Sequence, residues 1–274
     1  MTRQELEEVA VSWAAKEGWN PGLYDADSFY KTDPYGYFIG YLGSEPISCI
    51  SAVSYDGKFG FLGFYIVKPE YRGKGYGIQI WNAAMKYLNN HNIGLDGVVS
   101  QQENYKKSGF KLAYRNIRYE GVGTKSDIND QNIIPLSQVS FEQLLEYDKR
   151  MFPVPRPIFL REWIKQPESS AVAYIKDKRL TGYGMVRKCK IGFKVGPLFA
   201  NSPEIADKLF QKMRSFTGKA TPIFLDTPEV NKEAITLAKT HKMKPMFETA
   251  RMYTKKQPLV NLNRVFGVTT FELG

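Results

Sequence analysis

Residues 59–88 confine what this chain can fold into, because three local signals follow one another there without a gap. Residues 59–67 are aromatic and β-branched and follow an Asp56-Gly57 turn pair, the pattern of the second strand of a hairpin. Pro69 stops that strand, and Arg72-Gly73-Lys74-Gly75-Tyr76-Gly77 then removes the Cβ at every second position. Ile78, Trp81, Met85 and Leu88 recur at helical spacing, which predicts a helix opening at the last glycines. In a strand, glycine loop and helix of this order, the first N–H groups of the helix and the positive end of its dipole face the loop. Such a loop suits an anion, and phosphate above all.

Spacing sorts among phosphate loops. The GxxxxGK[ST] pattern of a P-loop is absent. A dinucleotide fingerprint sets GxGxxG directly after its strand, whereas here the glycines run GxGxG and Lys68-Pro69-Glu70-Tyr71 intervene. The stretch resembles the acetyl-CoA signature of the GNAT superfamily of N-acetyltransferases, [QR]-x-x-G-x-[GA] after a strand ending V-x-P. It stands here as Val67-Lys68-Pro69 followed by Arg72 through Gly77. Asn104-Tyr105-Lys106-Lys107-Ser108-Gly109-Phe110 is similar to the Y-[EK]-K-x-G-F segment that closes the GNAT site.

The second half of the chain repeats the first. Phe110, Lys111, Tyr114 and Arg118 correspond at one constant offset to Met243, Lys244, Phe247 and Arg251, and the strand at Leu95-Asp96 is matched at residues 223–226. The copies differ where chemistry would sit. The second has no glycine or arginine in its loop, where Ser202-Pro203-Glu204 instead opens a helix with an N-cap serine and a first-turn proline. Alanine also stands where the family tyrosine belongs, so the second copy resembles a catalytically silent GNAT unit. The fold class expected is α/β (α+β): two GNAT-like domains, residues 1–122 and 131–274, each a mixed, mostly antiparallel sheet flanked by helices. Polar residues 121–130 read as the linker between them.

Two ends of the pattern are irregular. GNAT folds open with a strand before the first helix, yet here Thr2-Arg3-Gln4-Glu5 is already a helix capping box, so that strand is missing or supplied from elsewhere. The apolar tail at residues 265–273 has to be covered. Either it crosses to pair with the first copy's sheet, or it finishes the second copy's own.

The net charge of +10 lies wholly in the second half: residues 1–135 carry 14 Lys+Arg against 15 Asp+Glu, and the remainder 24 against 13. Such an excess can steer an anionic ligand, but no dense basic cluster interleaved with aromatics marks a nucleic-acid surface, and none is expected. No apolar run approaches the roughly 18 residues of a membrane span and no signal peptide is evident, so a cytosolic protein is expected. Cys49 and Cys189 lack ligand or disulfide spacing, and no metal site is expected.

The resemblance implies acyl transfer, most simply of acetyl from acetyl-CoA to a primary amine. It assigns the pyrophosphate to the loop of Arg72, Gly73, Lys74, Gly75, Tyr76 and Gly77, and the pantetheine arm to the strand at Ile66 and Val67. Asn104 is carried over as a further cofactor contact, and Tyr105 as the proton donor to the departing thiolate. For the base that frees the amine, Asp96 is the first candidate and Glu103 the second. The acceptor expected is a small amine or amino acid. The alternatives are a lysine on a protein partner, or a regulatory module that binds acyl-CoA without turnover.

Overall fold

The computed structural model describes residues 1–126 and 128–274; residue 127, within the expected linker, lies outside the described residues. The strands are β1 Tyr37–Leu42, β2 Glu45–Ser54, β3 Phe59–Val67, β4 Asn92–Val98, β5 Lys111–Val122, β6 Ile133–Pro135, β7 Ser169–Lys176, β8 Arg179–Lys188, β9 Phe193–Ala200, β10 Pro222–Pro228, β11 Lys244–Tyr253 and β12 Val265–Gly267. They form one continuous mixed sheet, ordered β1-β2-β3-β4-β11-β5-β10-β9-β8-β7-β6, with β12 on β9.

Local signals place the helices. Thr2 and Glu5 make the expected capping box at the head of a helix over residues 3–16, whose middle, Leu6–Val11, is wound in π form. The helix Tyr76–Tyr87 lays Ile80, Trp81 and Ala84 on the sheet, in a core with Ile50, Leu62, Ile93 and Leu95. Its counterpart in the second copy, Pro203–Phe216, buries Ala206, Leu209, Phe210 and Met213. Burying side chains of this size contributes about 1.5–3 kcal/mol each before entropy is counted.

The two copies are not separate domains. Each gives its last long strand to the other. β11 of the second copy enters between β4 and β5 of the first, and β5 of the first lies between β11 and β10. The arrangement has an approximate two-fold axis. Asn116 on β5 faces Thr249 on β11, and around that pair Arg118 faces Phe247 as Arg251 faces Tyr114. Two buried ion pairs obey the same axis. Arg118 holds Asp226 through Nε and Nη2, both at 2.7 Å, and Arg251 holds Asp96 at 2.8 and 2.6 Å. Each joins an arginine of one copy to an aspartate of the other.

This interlock alters two expectations. The boundary at residue 122 falls inside a strand pair, because Gly121 and Val122 face Ile223 and Pro222, so the start of the expected linker is sheet. The tail takes the second of its two readings at first: Val265 and Gly267 pair with β9. Beyond β12 it leaves the sheet and runs to the first copy, where the Tyr55 hydroxyl donates to the Leu273 carbonyl at 2.7 Å. Among the described residues the first copy has no strand before its helix, whereas β6 supplies one to the second.

Candidate active site in the first copy

The site grows from a bulge in β3. Ser51 faces Gly63 and Cys49 faces Ile66, so β3 carries one residue more than β2 across that interval. Phe64 sits there with φ of 47°, a conformation that bulky residues rarely adopt. Parallel pairing between β3 and β4 ends at Leu62 opposite Leu95. The strands part beyond it, which leaves residues 63–67 with unpaired backbone groups on the β4 side.

A cleft of about 510 Å³ opens between the parted strands and the glycine loop. Ile66, Val67, Arg72, Gly73, Gly75 and Gly77 line it. Gly75 takes φ of 83° and precedes the helix Tyr76–Tyr87, whose first N–H groups have no side-chain cap. A Cβ on Gly77 would lie 2.6 Å from the Tyr65 hydroxyl, so the helix sits this close only with glycine there. Arg72 is turned across the loop: its Nε donates to the Val67 carbonyl at 2.8 Å and its Nη2 to Glu17 at 2.6 Å.

Three predicted contacts do not line the cleft. The Lys74 ammonium lies over the Tyr71 ring, 5.7 Å from its centre, and Tyr76 meets the same ring edge-on at 6.0 Å. The Asn104 amide donates to Gln101 Oε1 at 2.8 Å on the surface. The helix that carries Asn104, Gln102–Lys107, is short, and Ser100 and Gln101 reach the cleft instead.

Tyr105 stands where the site narrows. It is 8 % exposed and stacked on Trp81, with ring centres 5.6 Å apart. Gly97 makes room for it, since a Cβ there would overlap the Tyr105 ring. Burial pushes the phenol up to about 12, so it carries its proton throughout the neutral range. Behind it a chamber of about 50 Å³ continues from the cleft, and Trp19, Tyr65, Val98 and Tyr105 border both. Phe247 and Phe271 of the second copy close its far side, together with Thr249 and Glu272.

Asp96 and Glu103 are placed differently from the expected bases. Asp96 is fully buried, and its carboxylate accepts from Arg251 at both oxygens and from Asn116 at 2.8 Å. Burial pushes its carboxyl up while Arg251 pulls the other way. The geometry gives Asp96 the task of joining the copies, and it also borders the chamber behind Tyr105, with Oδ2 accepting from Arg251 alone. Glu103 is exposed and bonded to Lys106 at 2.7 Å. The contributions of Glu17, Trp19 and Glu272 are not evident from motif spacing. Glu272 alone leaves a trace, as a carboxylate inside an otherwise apolar tail.

With this geometry in view, both halves match family models. Residues 4–110 match "Acetyltransferase (GNAT) family" and residues 144–267 match "Acetyltransferase (GNAT) domain". The chain belongs to the GNAT acyltransferase family, as a tandem of two copies. It is 28% identical over 267 residues to the holothin acyltransferase of Pseudoalteromonas sp. (strain SANK 73390), covering 97% of this chain and 91% of that one. A putative acetyltransferase from Pyrococcus horikoshii superposes with a TM-score of 0.84 at 22% identity, over 100% of this chain and 94% of that one. A tandem GNAT protein from the clavulanic acid biosynthesis pathway gives 0.63 at 11% identity, over 94% and 98%. At these identities the two structures show the fold alone. The GNAT fold generally uses acyl-CoA, and no helix among the described residues is long and apolar enough to cross a membrane.

Proposed function

We propose that the first copy transfers an acyl group, acetyl in the simplest case, from acyl-CoA to the nitrogen of a small primary amine. The observation that carries this reading is the position of Tyr105, a buried phenol bordering both an open cleft beside the glycine loop and a small chamber lined by both copies. The uncapped helix N-terminus and the N–H groups of Gly73, Gly75 and Gly77 receive the pyrophosphate, and Arg72 adds charge once released from Glu17. The free edge of β3 at residues 63–67 pairs with the pantetheine arm and orients the thioester towards Tyr105. As the C–S bond breaks, sulfur takes the Tyr105 proton. The holothin acyltransferase, by its name, likewise moves an acyl group, and the likeness spans nearly the whole of both chains. The small volume of the chamber and its lining from both copies favour a small acceptor held between them over a protein lysine.

Calorimetry with acetyl-CoA, followed by thiol release in the presence of a panel of primary amines, tests the reading. Binding and amine-dependent thiol release are expected. No heat of binding at millimolar acetyl-CoA, with other acyl-CoA thioesters equally silent, overturns it.

A further inference from the structure

The chamber behind Tyr105 holds an unanswered carboxylate. Glu272 is 2 % exposed and borders the chamber, and its Oε1 has no hydrogen-bond partner. Thr249, on β11 of the same copy, borders the same space with its Oγ1 equally unpaired. Buried polar atoms are nearly always satisfied, and a buried carboxylate oxygen without a donor is costly. The rest of Glu272 is fixed: the Thr270 hydroxyl donates to its Oε2, and its own N–H donates to Thr270 Oγ1 at 3.2 Å. The tail backbone is pinned as well, because a Cβ on Gly63 would overlap the Glu272 carbonyl.

Nearby cations do not answer Oε1. Arg118 spends its guanidinium on Asp226 and on the Trp19 carbonyl, and Arg187 grips Asp25 with its Nη1 left unpaired, so both lend Glu272 charge without a hydrogen bond. Lys194 reaches only the Trp19 carbonyl, at 3.4 Å. The chamber walls are aromatic faces, Trp19, Phe64, Trp81, Phe247 and Phe271 among them. Aromatic faces around a carboxylate suit a cation, by the attraction of a ring quadrupole for positive charge and by direct pairing. An acyl chain would leave the carboxylate oxygen unpaired. Size narrows the cation further: at about 50 Å³ the chamber has about a third of the roughly 150 Å³ of an apolar cavity that takes benzene. Only a group of a few heavy atoms enters.

We infer that Glu272, from the tail of the second copy, binds the acceptor's ammonium group in this chamber and takes its first proton, so that the acceptors are primary amines on a short, slim alkyl end. The inference rests on the acyl-transfer reading of the first copy. The ammonium gives one proton to the Glu272 carboxylate, and the freed lone pair forms the C–N bond at the thioester carbonyl carbon. The C–S bond breaks, sulfur leaves with the electron pair, and it takes the Tyr105 proton. The second nitrogen proton passes through water to the tyrosinate, and Glu272 releases its proton to solvent. One amide, one thiol and one proton result.

The test uses the full chain with Glu272→Gln and Glu272→Asp, acetyl-CoA, and ethylamine, ethanolamine and benzylamine as probes. For Glu272→Gln the acetyl-CoA affinity is expected to stay within about 3-fold, while kcat/KM for ethylamine falls by about 10²-fold or more. Glu272→Asp restores part of it, and benzylamine is the poorest acceptor for the wild type. A Glu272→Gln protein with kcat/KM within about 3-fold of wild type overturns the inference. So does a wild type that binds acetyl-CoA yet acylates neither short amine, which leaves the cofactor reading standing. Absence of acetyl-CoA binding overturns that reading first. Should Glu272→Gln fail to fold, Glu272→Asp decides alone: a loss of 10-fold or more in kcat/KM with cofactor affinity kept supports the assignment, and a wild-type value ends it.

Discussion

The two copies part their central strands in the same way and fill the gap differently. In the first, β3 and β4 separate after Leu62 and Leu95, and the wedge stays open as the cleft. In the second, β9 and β10 separate after Val195 and Leu225, and the tail enters: β12 pairs with β9, and the Val268 N–H donates to the Asp226 carbonyl at 2.8 Å. The helix ends follow suit. The first copy leaves its helix N-terminus uncapped beside glycines, whereas Ser202 caps the second from its own side chain. One wedge offers its backbone to a ligand, and the other satisfies its backbone with protein. The second wedge is thus filled by internal partners for its backbone groups, with no change of topology.

The largest expected effect tests whether the copies are separable. Residues 1–130 alone lack β11, so β4 and β5 are left with open edges and Asp96 without Arg251. The fragment is expected to be insoluble or unfolded, and co-expression with residues 131–274 to restore a soluble complex. A folded fragment that binds acetyl-CoA, seen by circular dichroism and calorimetry, would show the exchange to be dispensable.

Next come the matched ion pairs. Arg251→Met and Arg118→Met each strand a buried carboxylate and should cost about 3–5 kcal/mol by denaturant unfolding. The first should disturb cofactor binding more, since Asp96 lies on β4 beside the cleft, while the second reaches the site only through the Trp19 carbonyl that Arg118 holds. Equal loss of acetyl-CoA binding in both would erase the distinction between the copies.

Tyr105→Phe is expected to lower kcat by about 10²-fold with little change in acetyl-CoA affinity, because a proton donor acts mainly as the thiolate forms. Equal kcat, with chemistry shown to limit the rate, would leave Tyr105 only its stacking on Trp81. At the two loops, Gly75→Val should abolish cofactor binding. Ser202→Ala should cost about 1 kcal/mol of stability and leave binding intact. The smallest effect belongs to Arg72→Ala, a modest weakening that fades as salt is raised, measured by calorimetry at two ionic strengths.

Much of the first copy was legible because its signals are local. Pro69, the alternating glycines and the helical spacing after Ile78 lie within one stretch, and the bulk of each element follows the same logic. The repeat was legible too, since matched positions such as Arg118 and Arg251 survive in both halves. The strand exchange was not. β5 and β11 have the same pattern, so nothing local says which copy's neighbour each will choose. The ion pair of Asp96 was illegible for that reason, as its partner comes from the other copy. The tail was recognised as needing cover, but its path from one wedge to the other is set by two glycines. Gly196 admits the backbone at Val268 and Thr269, and Gly63 admits Glu272.

The exchanged strands also fix an order of events during synthesis. β4 is made early but its neighbour β11 comes only after residue 243. Until then the first copy holds an apolar sheet edge and an unpaired Asp96, the kind of exposed surface that invites wrong partners. Domain-by-domain folding is closed to this chain. The half that carries the glycine loop matures last, together with the half that supplies Glu272 to its chamber.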